Sequence, residues 1–337
     1  MVKVALIGAG YIGQTHIGAL KQIKNVQIIA VVDNLEDRGI KIAQSVNAKY
    51  YKNIDELLKN TDADYVDVCV PTFAHPETVI KAANAGKHVL CEKPIALTLQ
   101  DADEMIKASK VNNIKAMNGL ILRFWPEYVK IKEIIDSGFY GEPVHAFCER
   151  LAVTPDWQVG NWDKNEKFSG GAAIDLHIHD LDLLIWLFGK PEIIKAQGSI
   201  SPENPEGGFS HIFTTAQFKK DKSGFAEGGW DFKGAFPFTM AFRVLCEKGT
   251  IEWIFRAGKN IEERAQASNI KIYNTDGSIE TIEVKQVDPF FNELTYFIDC
   301  IEKNKPIEKA TFEDGRASLE FALAAIKSAK EQSVVKL

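Results

Sequence analysis

The chain has 337 residues, 45% of them apolar and 26% charged, which is the balance of a soluble globular protein with room for two domains. Its 40 basic and 46 acidic side chains leave a net charge of −6, which gives no electrostatic reason to expect nucleic acid or an anionic membrane as partner. There is no run of 18 apolar residues, and the N-terminus enters a strand-like run without a secretory leader, so a cytoplasmic protein is expected.

In chain order, Lys3 to Ile7 reads as a short buried strand and Ile12 to Leu20 as a helix. Between them Gly8, Gly10 and Gly13 spell G-x-G-x-x-G. In a dinucleotide site the first glycine allows the tight turn, the second lets pyrophosphate reach the backbone, and the third packs helix on strand. A second apolar run, Val26 to Val32, ends at Asp33, 20 residues after Gly13. An acid at that distance meets the adenosine ribose hydroxyls. Asp33 also fits as the cap of the helix that follows, and both roles are compatible. A carboxylate there disfavours a 2′-phosphate, so NAD is preferred over NADP, with Arg38 close enough to soften the preference.

The alternation continues through a helix at 35–46, strands at 49–51 and 65–70, a helix from about Thr72 to Ala85, and a strand at 87–91. A helix at 98–110 and a strand at 115–120 complete a pattern typical of a doubly wound parallel sheet. The expected division is 1–121, dinucleotide binding, and 122–337, substrate binding and assembly. Past a helix at 126–136 the second part is rich in strand-like runs, at 143–152, 190–200, 211–219, 225–233, 237–247, 250–255, 270–274 and 278–284. Asp221-Lys-Ser-Gly224 and Asn274-Thr-Asp-Gly277 read as hairpin turns. One helix is expected at 173–187 and two more at 290–302 and 311–330, the last opened by Thr311-x-x-Asp314 as a capping box. The second domain is thus α+β with a large, mostly antiparallel open sheet.

Cys69, Cys91, Cys148, Cys246 and Cys300 are odd in number and widely spaced, and no Cys/His cluster has metal-ligand spacing. No metal is expected.

Two constellations carry chemistry. On the helix at 173–187, Asp175, His179 and Asp182 recur at i, i+4 and i+7 beside an apolar stripe of Ile174, Ile178, Leu181, Ile185 and Phe188. His177 points away from that set. Lys93 directly follows a parallel strand, at the edge where α/β sheets place ligands. Near an oxidised nicotinamide, cation repulsion lowers the pKa of such a lysine and lets it exchange a proton with a substrate hydroxyl.

At these residues the chain resembles the Gfo/Idh/MocA oxidoreductases, which include glucose–fructose oxidoreductase and inositol dehydrogenase. The resemblance rests on Gly8-x-Gly10-x-x-Gly13, Pro71-Thr-Phe-Ala-His75, Glu92-Lys93-Pro94 and Gly170-Gly-Ala-Ala-Ile-Asp175-x-x-x-His179-x-x-Asp182, and it covers nearly the whole chain. It implies a Rossmann domain, then a sheet domain whose open face makes homodimers or homotetramers, and a sugar, cyclitol or related polyol substrate between the two. It implies Lys93, Asp175 and His179 as the catalytic set, with the choice of Lys93 or His179 as formal base left open, and a cis Lys93–Pro94 bond.

The cofactor contacts it implies are Gly8, Gly10, Tyr11, Ile12, Gly13, Asp33, Asn34, Arg38, Pro71, Thr72, His75, Glu92 and Lys93, with Trp162 as a wall for the nicotinamide. For substrate, Arg123, Trp157 and Asn161 join Lys93, Asp175 and His179, while Trp125 and Trp230 fit either the cleft or the core. The implied activity is an NAD(P)-dependent dehydrogenase acting on CH–OH groups; two other readings stand beside it, a non-catalytic NAD(P)-binding sugar sensor and a glycosidase that recycles bound NAD.

Overall fold

The computed structural model describes residues 1–154, 162–258 and 266–337. Its first sheet is built from β1 (Val2–Ile7), β2 (Val26–Val32), β3 (Lys49–Tyr51), β4 (Tyr65–Val68), β5 (His88–Glu92) and β6 (Ala116–Gly119). Between them run α1 (Tyr11–Leu20), α2 (Glu36–Ser45), α3 (Ile54–Asn60), α4 (His75–Asn84) and α5 (Leu99–Val111). The strand order is β3-β2-β1-β4-β5-β6 and every pairing is parallel. Chain direction across the sheet reverses between β1 and β4, so a crevice forms at the carboxyl ends of those strands. The central strands are apolar on both faces, as helices on both sides require; β4 is buried at all four positions.

The remainder comprises α6 (Pro126–Asp136), β7 (Pro143–Val153), α7 (Glu166–Ser169), α8 (Gly171–Asp175), α9 (Ile178–Phe188), β8 (Ile193–Ile200), β9 (Phe209–Gln217), β10 (Ser223–Phe232), β11 (Thr239–Cys246), β12 (Gly249–Arg256), β13 (Gln266–Ala267), β14 (Ile270–Asn274), β15 (Ile279–Ile282), α10 (Pro289–Glu302), α11 (Phe312–Glu331) and β16 (Val335–Lys336). The second sheet runs β15-β14-β12-β11-β7-β10-β9-β8-β16, with β13 paired to β12. Among the described residues its one parallel pair is β7 with β10. Both sheets have the expected character: doubly wound and parallel first, open and mostly antiparallel second.

The chain forms two compact units that interleave in sequence. One is 1–124 with 157–162 and 287–316; the other is 125–156, 163–286 and 317–337. Helix α10 thus returns to the first unit, where Leu294, Phe297 and Ile298 join the core formed by Val4, Leu6, Tyr65 and Leu90. The Phe297 ring meets Tyr65 edge-on at 5.2 Å. The capping box is present and reciprocal: Thr311 Oγ1 accepts from Asp314 N at 3.0 Å, and Asp314 Oδ2 accepts from Thr311 N at 2.8 Å.

Two local expectations need correction. The helix expected at 173–187 is two helices, α8 and α9, interrupted at Leu176–His177. The cause is His177, whose side chain turns into the second sheet and is fully buried there. Its Nε2 lies 2.9 Å from Thr214 Oγ1 of β9, in a slot that exists because β10 has a glycine, Gly228, opposite the ring. The turn expected at Asp221–Gly224 lies earlier, where Lys220 and Asp221 adopt positive φ and Phe218 N donates to Lys222 O. Gly224 belongs to β10, and a Cβ there would meet Leu184 at 2.8 Å, so its glycine serves packing. The turn at Asn274–Gly277 is as expected, with Gly277 at φ +87°.

Candidate active site

The dinucleotide turn is assembled from the carboxyl ends of β1, β2, β4 and β5. Gly8 leaves β1 at φ +94°, and a Cβ on it would strike Cys69 O at 2.5 Å. At Gly13 a Cβ would lie 2.0 Å from Gly8 O, so helix and strand approach as closely as backbone permits. A Cβ at Gly10 meets nothing within 4 Å, leaving open space in front of the turn. Gly10 caps α1 without any side-chain hydrogen bond, and the first turn, with Tyr11 and Ile12, has no acidic residue. A helix start of this kind favours an anion. The cradle therefore suits a dinucleotide pyrophosphate.

Asp33 ends β2 and is 3% exposed. Oδ2 accepts from Ala9 N at 2.8 Å and Oδ1 from Leu35 N at 2.8 Å, so the carboxylate ties the glycine turn to the start of α2. The Arg38 guanidinium meets it in a fork, Nε to Oδ2 at 2.9 Å and Nη2 to Oδ1 at 2.8 Å. Asn34, beside it, is exposed. Pro71 and Thr72 follow β4 and lead into α4. His75, the first residue of α4, is 1% exposed, with Nδ1 2.8 Å from Pro94 O and Nε2 2.9 Å from Val70 O. It clamps the segment after β4 to the segment after β5. Burial lowers its pKa, opposed by the two carbonyls.

Lys93 is partly buried, immediately past β5, and its bond to Pro94 is cis. Glu92 turns inward: Oε1 lies 3.0 Å from His16 Nε2, and Oε2 accepts from Lys93 N at 3.0 Å. Arg123 is 5% exposed, with Nη1 3.0 Å from Asp314 Oδ2, so its charge is matched by the capping-box acid.

In the second unit, Asp175 closes α8 and His179 stands in the first turn of α9; both are partly buried. The kink between the helices, not a continuous i, i+4 ladder, sets their relation. Asp182 is 1% exposed and accepts from Ser318 Oγ at 2.8 Å, which anchors α9 to α11. Burial is the main cause that lowers the His177 pKa to about 3, with the Arg150 charge adding to it, so that ring is neutral. Trp125 packs edge-on against Phe255 at 6.1 Å, and Trp230 is likewise buried, so both are core residues of this unit. Trp162 opens a short 3₁₀ turn and is partly buried. Trp157 and Asn161 lie outside the described residues.

Residues 2–120 match the family model for the oxidoreductase family, NAD-binding Rossmann fold, and residues 128–252 match the GFO/IDH/MocA C-terminal domain. This chain belongs to the Gfo/Idh/MocA oxidoreductase family. Among curated Gfo/Idh/MocA-like relatives, the chain is similar to a myo-inositol 2-dehydrogenase of Thermotoga maritima, at 29% identity over 100% of this chain and 98% of that one. A 2,7-anhydro-N-acetylneuraminate hydratase of Mediterraneibacter gnavus is 30% identical over 68% of this chain, which spans 62% of that relative's length. Among solved structures, myo-inositol 2-dehydrogenase from Lactobacillus plantarum shares the fold at a TM-score of 0.84 and 24% identity, over 100% and 99% of the two chains. The chain is thus an NAD(P)-dependent oxidoreductase by family. No helix among the described residues is long and apolar enough to cross a membrane.

Sequence reasoning missed the buried partners of Glu92, namely His16, Asp67 and Glu293. The only available signals were a histidine inside the apolar face of α1 and an aspartate inside a fully buried strand.

Proposed function

We propose that this protein is a dehydrogenase of CH–OH groups that uses NAD in preference to NADP, on a sugar, cyclitol or related polyol. The reading is supported above all by Lys93, which leaves the carboxyl end of β5 on the same sheet edge as Gly8 and Asp33. Gly8, Gly10, Tyr11, Ile12 and Gly13 would hold the pyrophosphate, Asp33 with Asn34 and Arg38 the adenosine ribose, and Pro71, Thr72, His75, Glu92, Lys93 and Trp162 the nicotinamide end. When bound, the cofactor supplies a hydride acceptor. His179, helped by Lys93, removes the substrate hydroxyl proton, and Asp175 orients Lys93 or the substrate and balances charge. Oxidation of an alcohol requires that the hydroxyl proton leave as the C–H hydride leaves, which is why a proton-accepting pair is needed. Arg123, Trp157 and Asn161 complete the proposed substrate contacts.

The open face of the second sheet carries Phe147 and Phe225 stacked at 5.4 Å, with Arg243 over Phe147 and Phe213 40% exposed. An apolar surface of this kind suits a homodimer or homotetramer. The hydratase among the relatives motivates a second reading, in which bound NAD is recycled during cleavage of a glycoside.

The test is a screen of inositols, aldoses, sugar acids and glycosides with NAD and NADP, following NADH absorbance and product release, beside Lys93→Ala and His179→Ala. Net NADH formation that both variants abolish supports the dehydrogenase. Glycoside cleavage without net NADH supports the second reading, and full activity in both variants refutes the assigned roles.

A further inference from the structure

Behind the strand end that carries Lys93 lies a group of ionisable side chains that the proposed proton transfer leaves unused. His16 on α1, Asp67 on β4 and Glu293 on α10 are fully buried, and Glu92 at the end of β5 is 7% exposed. Four elements contribute one residue each. The His16 Nδ1 is 3.1 and 3.0 Å from the two Asp67 oxygens, and its Nε2 is 3.0 Å from Glu92 Oε1. Carboxyl groups facing both nitrogens favour the doubly protonated ring, the imidazolium. Burial pulls its pKa down, but the Asp67 charge and Cys69 outweigh it and hold it well above the ordinary value.

Glu293 completes the group. Neither of its carboxyl oxygens has a hydrogen-bond partner, and it offers an oxygen within 4.8 Å of the His16 and Glu92 atoms. Ionised, it would be a third buried negative charge against one positive, which the desolvation cost forbids. Burial first, and the Glu92 charge second, raise its pKa well above the carboxylate range. Of the other titratable side chains facing the group, Tyr65, Cys69 and Cys91 are kept neutral chiefly by burial, and burial lowers the pKa of His75. With His16 as the single cation and Glu293 held toward its neutral form, the two remaining acids, Asp67 and Glu92, outnumber the cation by one. Glu92 alone of the four is not fully buried, and its Oε2 accepts the Lys93 amide at 3.0 Å.

We propose that the His16–Asp67–Glu92–Glu293 group is a buried counter-charge that makes this edge of the sheet prefer the oxidised, cationic nicotinamide to the reduced, neutral one. The proposal rests on the dinucleotide reading above. Glu92 and Asp67 supply the charge, His16 holds them apart without cancelling both, and Glu293 fills the space without adding charge. A fixed charge in a water-poor site acts with little screening and no reorganisation cost.

The test is to titrate NAD and NADH separately into the full-length protein by calorimetry, for the wild type, Glu92→Gln and Glu293→Gln. Glu92→Gln removes the net charge and should shift the NAD-to-NADH ratio of Kd values toward NADH by on the order of tenfold. Glu293→Gln exchanges one neutral group for another and should leave that ratio within about twofold of wild type. Where Glu92→Gln fails to fold, Asp67→Asn makes the same charge change. Binding of both cofactors with an unchanged ratio in the folded charge variant overturns the inference. So does a shift in Glu293→Gln as large as in Glu92→Gln, or a stoichiometric divalent metal in the purified protein, since a cation would then balance the charge. Failure of the wild type to bind either cofactor is a different result and refutes the dinucleotide reading itself.

Discussion

The Asp33–Arg38 pair makes cofactor choice testable at a single position. Asp33→Asn removes a carboxylate that accepts from Ala9 N, Leu35 N and both faces of the Arg38 fork. Its loss has two consequences of the same sign. First, NAD loses a charged acceptor for its ribose hydroxyls, and hydrogen bonds to charged groups are worth about 1.5–3 kcal/mol. Second, Arg38, released from its fork, presents an unpaired guanidinium to a 2′-phosphate. A unit charge pair near 4 Å is worth about 1 kcal/mol in water and about 4 kcal/mol in a partly screened surface site. Arg38 is 26% exposed, so the lower half of that range applies. Together the terms predict a change in NAD-over-NADP preference of on the order of a hundredfold or more. The assay is direct titration of NAD and NADP, supported by Asp33→Asn/Arg38→Ala, which should lose the gain in NADP affinity while keeping the loss in NAD affinity. A preference that moves less than about threefold in Asp33→Asn would show that neither group meets the adenosine ribose.

Other expectations concern catalysis, packing and pH. Lys93→Ala and His179→Ala should each lower turnover by at least about a hundredfold while leaving NAD affinity nearly intact, as removal of a general base does, and rapid kinetics beside titration separates the two effects. Arg150→Ala should cost about 3–5 kcal/mol in urea unfolding, because Asp180, fully buried and bound to Arg150 Nε at 2.9 Å, would be left without its counter-ion. His177 stays neutral in the fold down to about pH 3, whereas the unfolded chain takes up a proton near pH 6.5. The unfolded state then binds the extra proton between those values, so the stability His177 contributes is complete above pH 6.5 and is lost as pH falls toward 3. The loss is up to about 4 kcal/mol, and His177→Gln should flatten this acid limb in denaturant titrations at stepped pH. Phe225→Glu on the open sheet face should abolish the proposed self-association, read by light scattering, while the far-ultraviolet spectrum is retained.

Much of this molecule was legible in its residues, for reasons that can be named. The glycine turn is readable because Gly8 needs a positive φ and Gly13 has no room for a side chain, a Cβ there falling 2.0 Å from Gly8 O. The strands of the second sheet are readable because alternation reports which face is buried, as in β9, where Ile212, Thr214 and Ala216 are buried and Phe213, Thr215 and Gln217 exposed. The interruption of α8–α9 is not readable, since it depends on a slot at Gly228, about 50 residues downstream of His177 in sequence. The Arg123–Asp314 ion pair is not readable either, since the two residues lie far apart in sequence. The group around Glu92 joins His16 to Glu293 across the chain, and no spacing rule spans that distance.

The return of α10 to the first unit bears on how the protein can be made. A ribosome delivers β1 to β6 long before it delivers Leu294, Phe297 and Ile298, yet those side chains lie in the same core as Val4, Leu6 and Leu90. Until residues 287–316 emerge, the nascent nucleotide-binding unit displays an unfilled apolar groove and lacks Glu293 beside His16. Strands β7 to β15 of the second sheet are encoded in between, and β16 only afterwards. Vectorial synthesis therefore makes the core of the nucleotide-binding unit one of the last parts of the chain to be completed, and a fragment ending at residue 124 is expected to require helix α10, supplied in trans or fused, before it folds.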